Sequence, residues 1–197
     1  MSNNQLIKAE IRQTVRSKRN SLTDPEKNLA EQQLLKQLIQ HNLLRNHQHI
    51  ACFLSFDGEI STQKIIPELL KQQKICYLPK LKPFAPNRLW FMPYTDHTKM
   101  INNRYGIAEV DRGVNHAIAV SKLDLVLLPL VAFDQHGNRL GMGGGYYDAT
   151  FAHLKTKQNR PKFIGLAYEA QKREDLPSDS WDLPLDGVCT EKAFYSF

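Results

Sequence analysis

The sequence predicts an α/β fold: a mostly parallel sheet flanked by helices in a Rossmann-like three-layer arrangement, with residues 1–197 as a single domain. Three observations carry that expectation. Short apolar runs bounded by turn residues alternate along the chain with segments of helical periodicity, the pattern of strand–helix–strand units. A length of 197 residues suits one domain and allows a substantial core. Finally, an apolar run at 125–128 leads through a second run and a polar turn into four glycines within residues 141–145, and a helical stretch follows. Strand, glycine loop and helix in succession bring bare backbone N–H groups up to an anion.

The elements follow in order. Residues 6–19 predict a helix with Ile7, Ile11 and Val15 on one face and Lys8, Arg12, Arg16 and Arg19 as an adjacent basic stripe, which by default is a solvated face. Thr23 stands as N-cap of a second helix, with Glu26 three residues on completing a capping box and Pro25 harmless in the first turn. Leu34, Leu35, Leu38 and Ile39 give that helix its core face. Residues 49–56 read as a buried strand closed by an Asp57-Gly58 turn, and Glu59 follows. An acid there is either a turn residue or, because open α/β sheets collect ligands at strand carboxyl ends, a ligand contact. A helix through Ile65, Ile66, Leu69 and Leu70 starts at Ser61 or Thr62, with Pro67 bending or shortening it. Residues 74–78 make a strand ending at Pro79-Lys80, where Lys80 faces either phosphate or solvent. A proline-rich loop at 82–87 precedes a strand at 89–94, in which Trp90 has a packing role. Tyr105 is open to two readings, packing or stacking on a flat ligand. The strands at 125–128 and 130–133 flank Pro129, a helix is expected at 149–154, and a strand at 162–167. A charged, proline-containing loop at 169–187 leads to a last short strand at 188–190.

Composition excludes more than it assigns. No stretch approaches the roughly 20 apolar residues of a membrane span, and residues 1–5 lack the apolar core of a signal peptide. Cys52, Cys76 and Cys189 are odd in number, far apart and set in apolar runs, so they read as buried thiols of a cytoplasmic protein. The seven histidines show no metal-ligand spacing, His47-x-His49 being too short a pattern. The net charge of +6 fits a lysine-rich surface or attraction to a polyanion. Nucleic acid would call for a basic run interleaved with aromatics, which is absent.

The glycine stretch fits none of the common nucleotide motifs. A dinucleotide fingerprint needs glycine where Tyr146 stands, and a Walker A loop needs a Lys-Ser/Thr pair after its last glycine. No Gly-x-Ser-x-Gly nucleophile elbow occurs. The plain alternative is a tight turn whose glycines supply positive φ angles. Four glycines in five positions beside Arg139, with Asp148 available to a divalent metal, favour an anion site.

Ala132-Phe-Asp-x-x-Gly-x-Arg-Leu-Gly-x-Gly-x-Gly-Tyr-Tyr-Asp148 resembles the signature of the 5-formyltetrahydrofolate cyclo-ligase (methenyltetrahydrofolate synthetase) family. Lys8-x-x-x-Arg12, Phe53-Leu-Ser-x-x-x-Glu59, Tyr105-Gly-Ile107 and Asp182-x-x-x-Asp186 extend the resemblance, in family order, over nearly the whole chain. The family's Gly-Ile-Pro-Glu-Pro turn is matched here without its prolines, which leaves a ligand contact from Glu109 open. The resemblance implies an ATP- and magnesium-dependent ligase that closes 5-formyltetrahydrofolate to 5,10-methenyltetrahydrofolate, releasing ADP and phosphate. It implies ATP contacts at Lys8, Arg12, Arg139, Leu140, Gly141, Met142, Gly143, Gly144, Gly145, Tyr146 and Tyr147. It also implies substrate contacts at Leu54, Glu59, Met142, Gly143, Gly144, Gly145 and Tyr146, and magnesium at Asp148 and Asp182, with Asp186 the alternative to Asp182. A carboxylate at Glu59 suits the N–H edge of a pterin.

The chemistry needs alignment of a formyl oxygen with a γ-phosphate, so that phosphorylation activates the formyl carbon for attack by N10; this is positioning plus electrostatics. Arg139 is the expected catalytic residue, unless it only pairs with Asp134 across the turn. ATP and a folate, polyglutamylated or not, are anionic enough to account for the charge without RNA or DNA. A monomer is expected, with no nucleic-acid or membrane partner. Runner-up readings are a sugar-phosphate isomerase or acyl-CoA enzyme, and a non-catalytic nucleotide- or RNA-binding module.

Overall fold

A computed structural model describes residues 3–85 and 87–197. Met1 and Ser2 of the polar N-terminus and Pro86 of the proline-rich loop lie outside the described residues. Helix α1 (Asn3–Asn20) runs into α2 (Asp24–Gln40), whose capping box is formed as the sequence predicts. Thr23 N donates to Glu26 Oε2 at 2.7 Å and Glu26 N donates to Thr23 Oγ1 at 3.4 Å. Leu34 and Leu38 are fully buried on α2, whereas Ile39 is 48 % exposed, one position beyond the core stripe.

Then follow β1 (His49–Ala51), α3 (Ile65–Lys71), β2 (Ile75–Leu81) and β3 (Leu89–Tyr94). A small hairpin comes next, β4 (Met100–Asn102) with β5 (Ala108–Val110). Strand β6 (Leu125–Pro129) is followed by a second hairpin, β7 (Ala132–Phe133) with β8 (Arg139–Leu140), and by α4 (Tyr146–Phe151). Strands β9 (Lys162–Leu166), β10 (Gly187–Cys189) and β11 (Phe194–Ser196) complete the chain. Strand β1 is shorter than its apolar run. Cys52 N still reaches Tyr77 O at 2.9 Å, but Thr62 Oγ1 donates to Phe53 O at 2.5 Å and turns the chain out of the sheet.

The main sheet has seven strands in the order β11-β10-β9-β6-β1-β2-β3. It is parallel from β10 through β2, and each edge carries one antiparallel strand. Alternate residues face opposite layers, as a two-residue period requires. Ile50, Leu125, Leu127 and Ile164 pack with α2 and α3 on one face. Ala51, Val126, Leu128 and Phe163 pack with Phe151 of α4 and Leu154 on the other. The layers are therefore helix, sheet, helix. Burying side chains such as Phe151 and Leu127 is worth roughly 1.5–3 kcal/mol each. Burial pushes the Cys52 and Cys189 thiols up to about 12, so neither is a ready nucleophile.

Topology places the site. From β1 the chain runs to β2 on one side and later returns through β6 on the other, so the strand order reverses between β1 and β6. Ligands of open α/β sheets bind outside the strand carboxyl ends at such a point. Residues 52–59 leave β1 there, and the β7–β8 hairpin and glycine loop leave β6 there. Helix α1 lies over this end, with Val15 packed against Val131, Ala132 and Leu140.

Arg16 and Arg19, expected on a solvated face where the resemblance takes only Lys8 and Arg12 for the site, depart from that expectation. Arg19 is 2 % exposed, Lys8 is buried, and Arg12 and Arg16 are partly buried. The stripe is the face that docks onto the loops, so its cations bind carboxylates and carbonyls, with Arg16 still partly in solvent.

Candidate active site

The β7–β8 turn is built around Asp134, which is fully buried. Its carboxylate accepts from His136 N (2.9 Å), Asn138 N (3.0 Å), Asn138 Nδ2 (2.9 Å) and Leu176 N (3.0 Å). It is wholly occupied in shaping the turn, and the alternative pairing of Arg139 with Asp134 does not occur. Arg139 instead donates from Nη2 to Asp148 Oδ1 at 2.5 Å, with only 4 % of its side chain exposed. Asp148 Oδ1 also accepts from Leu183 N at 2.9 Å. Arg139 Nε is buried with no hydrogen-bond partner among the described residues. A buried unpaired donor on a cation carries a desolvation cost that a ligand oxygen would relieve.

The glycine loop curves from Arg139 to α4. Gly143 and Gly145 sit at φ +99° and +64°, a region that side chains disfavour. A Cβ at Gly143 would stand 3.6 Å from the Arg12 guanidinium carbon. Arg12 itself donates from Nε to Gly141 O at 2.8 Å, tying α1 to the loop. Lys8, one turn earlier, reaches Asp179 Oδ2 at 2.7 Å and Asp182 Oδ2 at 3.2 Å. Burial pulls the Lys8 ammonium down, but its hydrogen bonds and charge pairing with the two aspartates outweigh this, so its pKa is raised overall. Asp186, the alternative to Asp182, lies elsewhere: it binds Arg160 in two places and accepts from Phe163 N at the start of β9.

These residues line one cleft of about 730 Å³: Lys8, Arg12, Glu59, Asp182 and the continuous run 139–148. Every sequence-expected ATP and metal residue is in it. A second pocket of about 430 Å³ adjoins it, with an apolar wall of Phe53, Leu54, Leu78, Leu81 and Ile107. Glu59, Met142, Gly144, Tyr146 and Tyr147 border both spaces. The glycine loop is thus a shared wall between a cation-lined cleft and a greasy pocket.

Glu59 is bonded as a turn residue and also lines the pockets, the position its alternative role requires. Its Oε2 accepts from Phe56 N at 3.1 Å, as a turn residue would, and it borders both spaces. Burial lifts its carboxyl to about 7, against the opposing hydrogen bond from Phe56 and the charge of Arg19. Burial likewise pushes the Tyr147 phenol upward. Over the apolar pocket, Tyr105 OH and Tyr146 OH are 2.9 Å apart, and Arg104 Nη2 donates to Tyr146 OH at 3.0 Å. Tyr105 is therefore a hydrogen-bonded wall residue, not a core packer.

Glu109 and Lys80 are structural. Glu109 Oε1 accepts from Leu81 N and Asn103 Nδ2, both at 2.8 Å. Lys80 donates to the carbonyls of Val110 (2.8 Å) and Arg112 (3.2 Å), tying β2 to the segment after β5. Sequence reasoning missed Arg19, whose Nε and Nη2 grip Asp57 O and Oδ2, each at 2.9 Å, while Nη2 stands 3.9 Å from Met142 Sδ. It joins the Glu59 turn to the glycine loop. Its place in the same three- and four-residue stripe as Lys8 and Arg12 was the signal. Asp179 was missed too, having no periodic context in an irregular loop. Among the described residues, no three or more metal-capable side chains gather.

A helix–sheet–helix α/β fold, a glycine loop at its topological switch point shared by two adjoining pockets, and a buried arginine in the larger of them are the layout of an α/β enzyme. A model of the 5-formyltetrahydrofolate cyclo-ligase family matches residues 4–191, and the chain belongs to that family of ligases. The 5-formyltetrahydrofolate cyclo-ligase of Haemophilus influenzae is 42 % identical over 89 % of this chain and 93 % of its own. That of Escherichia coli K12 is 38 % identical over 89 % and 96 %. The solution structure of Aquifex aeolicus 5,10-methenyltetrahydrofolate synthetase superposes with a TM-score of 0.81 at 30 % identity, covering 96 % of this chain and 92 % of its own. No described helix is long and apolar enough to cross a membrane.

Proposed function

We propose that this chain catalyses the ATP- and magnesium-dependent closure of 5-formyltetrahydrofolate to 5,10-methenyltetrahydrofolate, with release of ADP and phosphate. The observation that carries the reading is the glycine loop, wall at once to the cation-lined cleft and to the apolar pocket. A triphosphate in the first and a folate in the second would meet across it. The activity for which the Haemophilus influenzae and Escherichia coli relatives are named supports the choice of folate.

The formyl oxygen attacks the γ-phosphorus and the bond to ADP breaks. N10 then adds to the activated carbon and gives up its proton, and the C–O bond breaks to release phosphate. Lys8 and Arg12 hold the phosphate chain, and the backbone N–H groups of 141–145 supply further donors. Arg139 carries the catalytic role: a fork that stays charged when desolvated, aimed at the transferring phosphoryl group. Leu140, Tyr146 and Tyr147 complete the nucleotide wall. Leu54 packs on the folate ring, with Met142, Gly143, Gly144, Gly145 and Tyr146 opposite, and Glu59 accepts from the pterin edge.

Magnesium, when bound, neutralises phosphate charge. Asp148 and Asp182 fit it as two hard oxygen donors, since this ion takes one or two carboxylates and fills its shell with phosphate and water. In the structure these aspartates pair with Arg139 and Lys8. With Arg139 and Lys8 turned to phosphate oxygen, Asp148 and Asp182 would be the residues to hold the ion. The enzyme acts as a cytoplasmic monomer on the folate, polyglutamylated or not, without nucleic-acid or membrane partners.

The test is the absorbance of methenyltetrahydrofolate, followed with ATP and magnesium each present or omitted. Product should form only when both are present. Conversion without nucleotide would overturn the mechanism.

A further inference from the structure

Met142 is the residue that interrupts the glycines of the loop, and its surroundings set it apart from the other methionines. Among the described residues Met92 is fully buried and Met100 is half-buried against the core, whereas Met142 is 44 % exposed and borders both pockets. Thioethers are oxidised where they are accessible, and this one stands open on the wall of the site.

The group facing the sulfur is unusual too. Arg19 Nη2 stands 3.9 Å from Met142 Sδ, and Nη1 of the same guanidinium is buried with no hydrogen-bond partner among the described residues. Arg19 is 2 % exposed, so that unpaired donor carries a desolvation cost. A thioether sulfur is only a weak acceptor and does little to relieve it. A sulfoxide oxygen carries negative charge. Set on the sulfur between the two side chains, it replaces an N···S contact with a charge-assisted hydrogen bond.

Resting on the reading that the apolar pocket takes the folate, we propose that Met142 is a reversible oxidation site through which peroxide weakens folate binding. Hydrogen peroxide gives one oxygen to the sulfur: an S–O bond forms, the O–O bond breaks and the sulfur loses two electrons. The displaced hydroxide gains a proton and leaves as water. The Arg19 guanidinium stabilises the oxygen as it gathers charge, and the oxidised side chain turns to it, so the pocket loses the apolar contact of Met142. A thiol-dependent methionine sulfoxide reductase restores the thioether, two thiols becoming a disulfide as the oxygen leaves as water. Cysteine does not compete for the peroxide. Cys52, Cys76 and Cys189 are all fully buried, and burial holds their thiols protonated.

The test is graded hydrogen peroxide on the whole protein, read by peptide mass and by initial rates of methenyltetrahydrofolate formation. Met142 should gain one oxygen before Met100 and Met92. The folate KM should then rise about 4- to 13-fold, the worth of losing roughly half of a buried methionine's apolar contact, while the KM for ATP moves less. The melting temperature should hold, because Arg19 gains a partner, and methionine sulfoxide reductase with a thiol should restore the KM. Met142→Gln presents an amide oxygen to Arg19 and should carry the raised folate KM without peroxide. Met142→Leu should keep its own starting KM through the same peroxide dose. Oxidation of Met100 as early as Met142 overturns the proposal. So does an unchanged folate KM or a fall in melting temperature in protein oxidised at Met142 alone, or a peroxide-driven rise in the folate KM of Met142→Leu. No turnover by the untreated protein overturns the folate reading instead, while Met142 oxidised ahead of Met100 keeps the oxidation site.

Discussion

On the proposed reading that Glu59 accepts from the pterin edge, folate binding should depend on pH in a calculable way. Burial lifts its carboxyl from an ordinary 4.5 to about 7, with Asp57 pushing in the same direction and Arg19 and the Phe56 N–H holding it back. The pterin edge needs the ionised form as acceptor, so the protonated enzyme binds weakly. Around a pKa of 7, roughly nine carboxyls in ten are protonated at pH 6 and one in ten at pH 8. Apparent affinity for 5-formyltetrahydrofolate should therefore fall about tenfold from pH 8 to pH 6, with about 0.9 protons released per binding event at pH 6. Calorimetry in two buffers of different ionisation enthalpy measures both quantities. Glu59→Gln should flatten the profile and cost roughly 1.5–3 kcal/mol of folate affinity at pH 8, a tenfold to hundredfold loss, with ATP affinity much less affected. The same shift has a stability sign. A carboxyl raised in the folded state holds protons that the unfolded chain has lost, so stability drops as pH rises from 4.5 to 7, by up to about 3 kcal/mol. Glu59→Gln should remove that slope. A flat binding profile for the unaltered protein between pH 6 and 8, or equal losses of folate and ATP in the variant, would refute the reasoning.

Arg139→Ala should lower single-turnover rates by about 10³–10⁵ with a smaller effect on nucleotide affinity. It should also lower the melting temperature, because Asp148 loses its partner; Arg139→Lys should regain stability more than rate, and normal turnover in an early-melting Arg139→Ala would remove the residue from the chemistry. Arg19→Met strands Asp57 in part and should destabilise the fold by roughly 3–5 kcal/mol in urea titrations. Because the Arg19 charge holds the Glu59 carboxyl down, the same variant should also move the folate-binding midpoint above that of the unaltered protein. Thr23→Ala removes the capping box of α2 and should cost about 1 kcal/mol in urea unfolding while leaving turnover unchanged.

Local chemistry was legible wherever a residue's role is set by its near neighbours. Thr23 and Glu26 announced their box, and the apolar runs announced β6 and β9, because capping and burial act over a few residues. The glycine run announced the loop for the same reason: glycine is the residue most at ease at the positive φ angles of 143 and 145. What was hidden depends on pairs distant in sequence. The β7–β8 and β4–β5 hairpins are strands of two or three residues that exist only through their partners. The partner of Arg139 was Asp148, not the nearer Asp134, because Asp134 is enclosed by four N–H donors of its own turn and its neighbour Leu176. Arg19 looked like a surface charge because its partner Asp57 lies 38 residues away, even though it shares a stripe with Lys8 and Arg12. The pairing of Lys8 with Asp179 joins residues at opposite ends of the chain and has no local signature.

The central claim is that the formyl oxygen is the atom phosphorylated, and oxygen labelling reads that atom directly. With 5-formyltetrahydrofolate carrying ¹⁸O in the formyl group, turnover in unlabelled water should place the label in the inorganic phosphate released, one heavy oxygen per product formed. Unlabelled phosphate, with the heavy oxygen lost to water, would contradict the account.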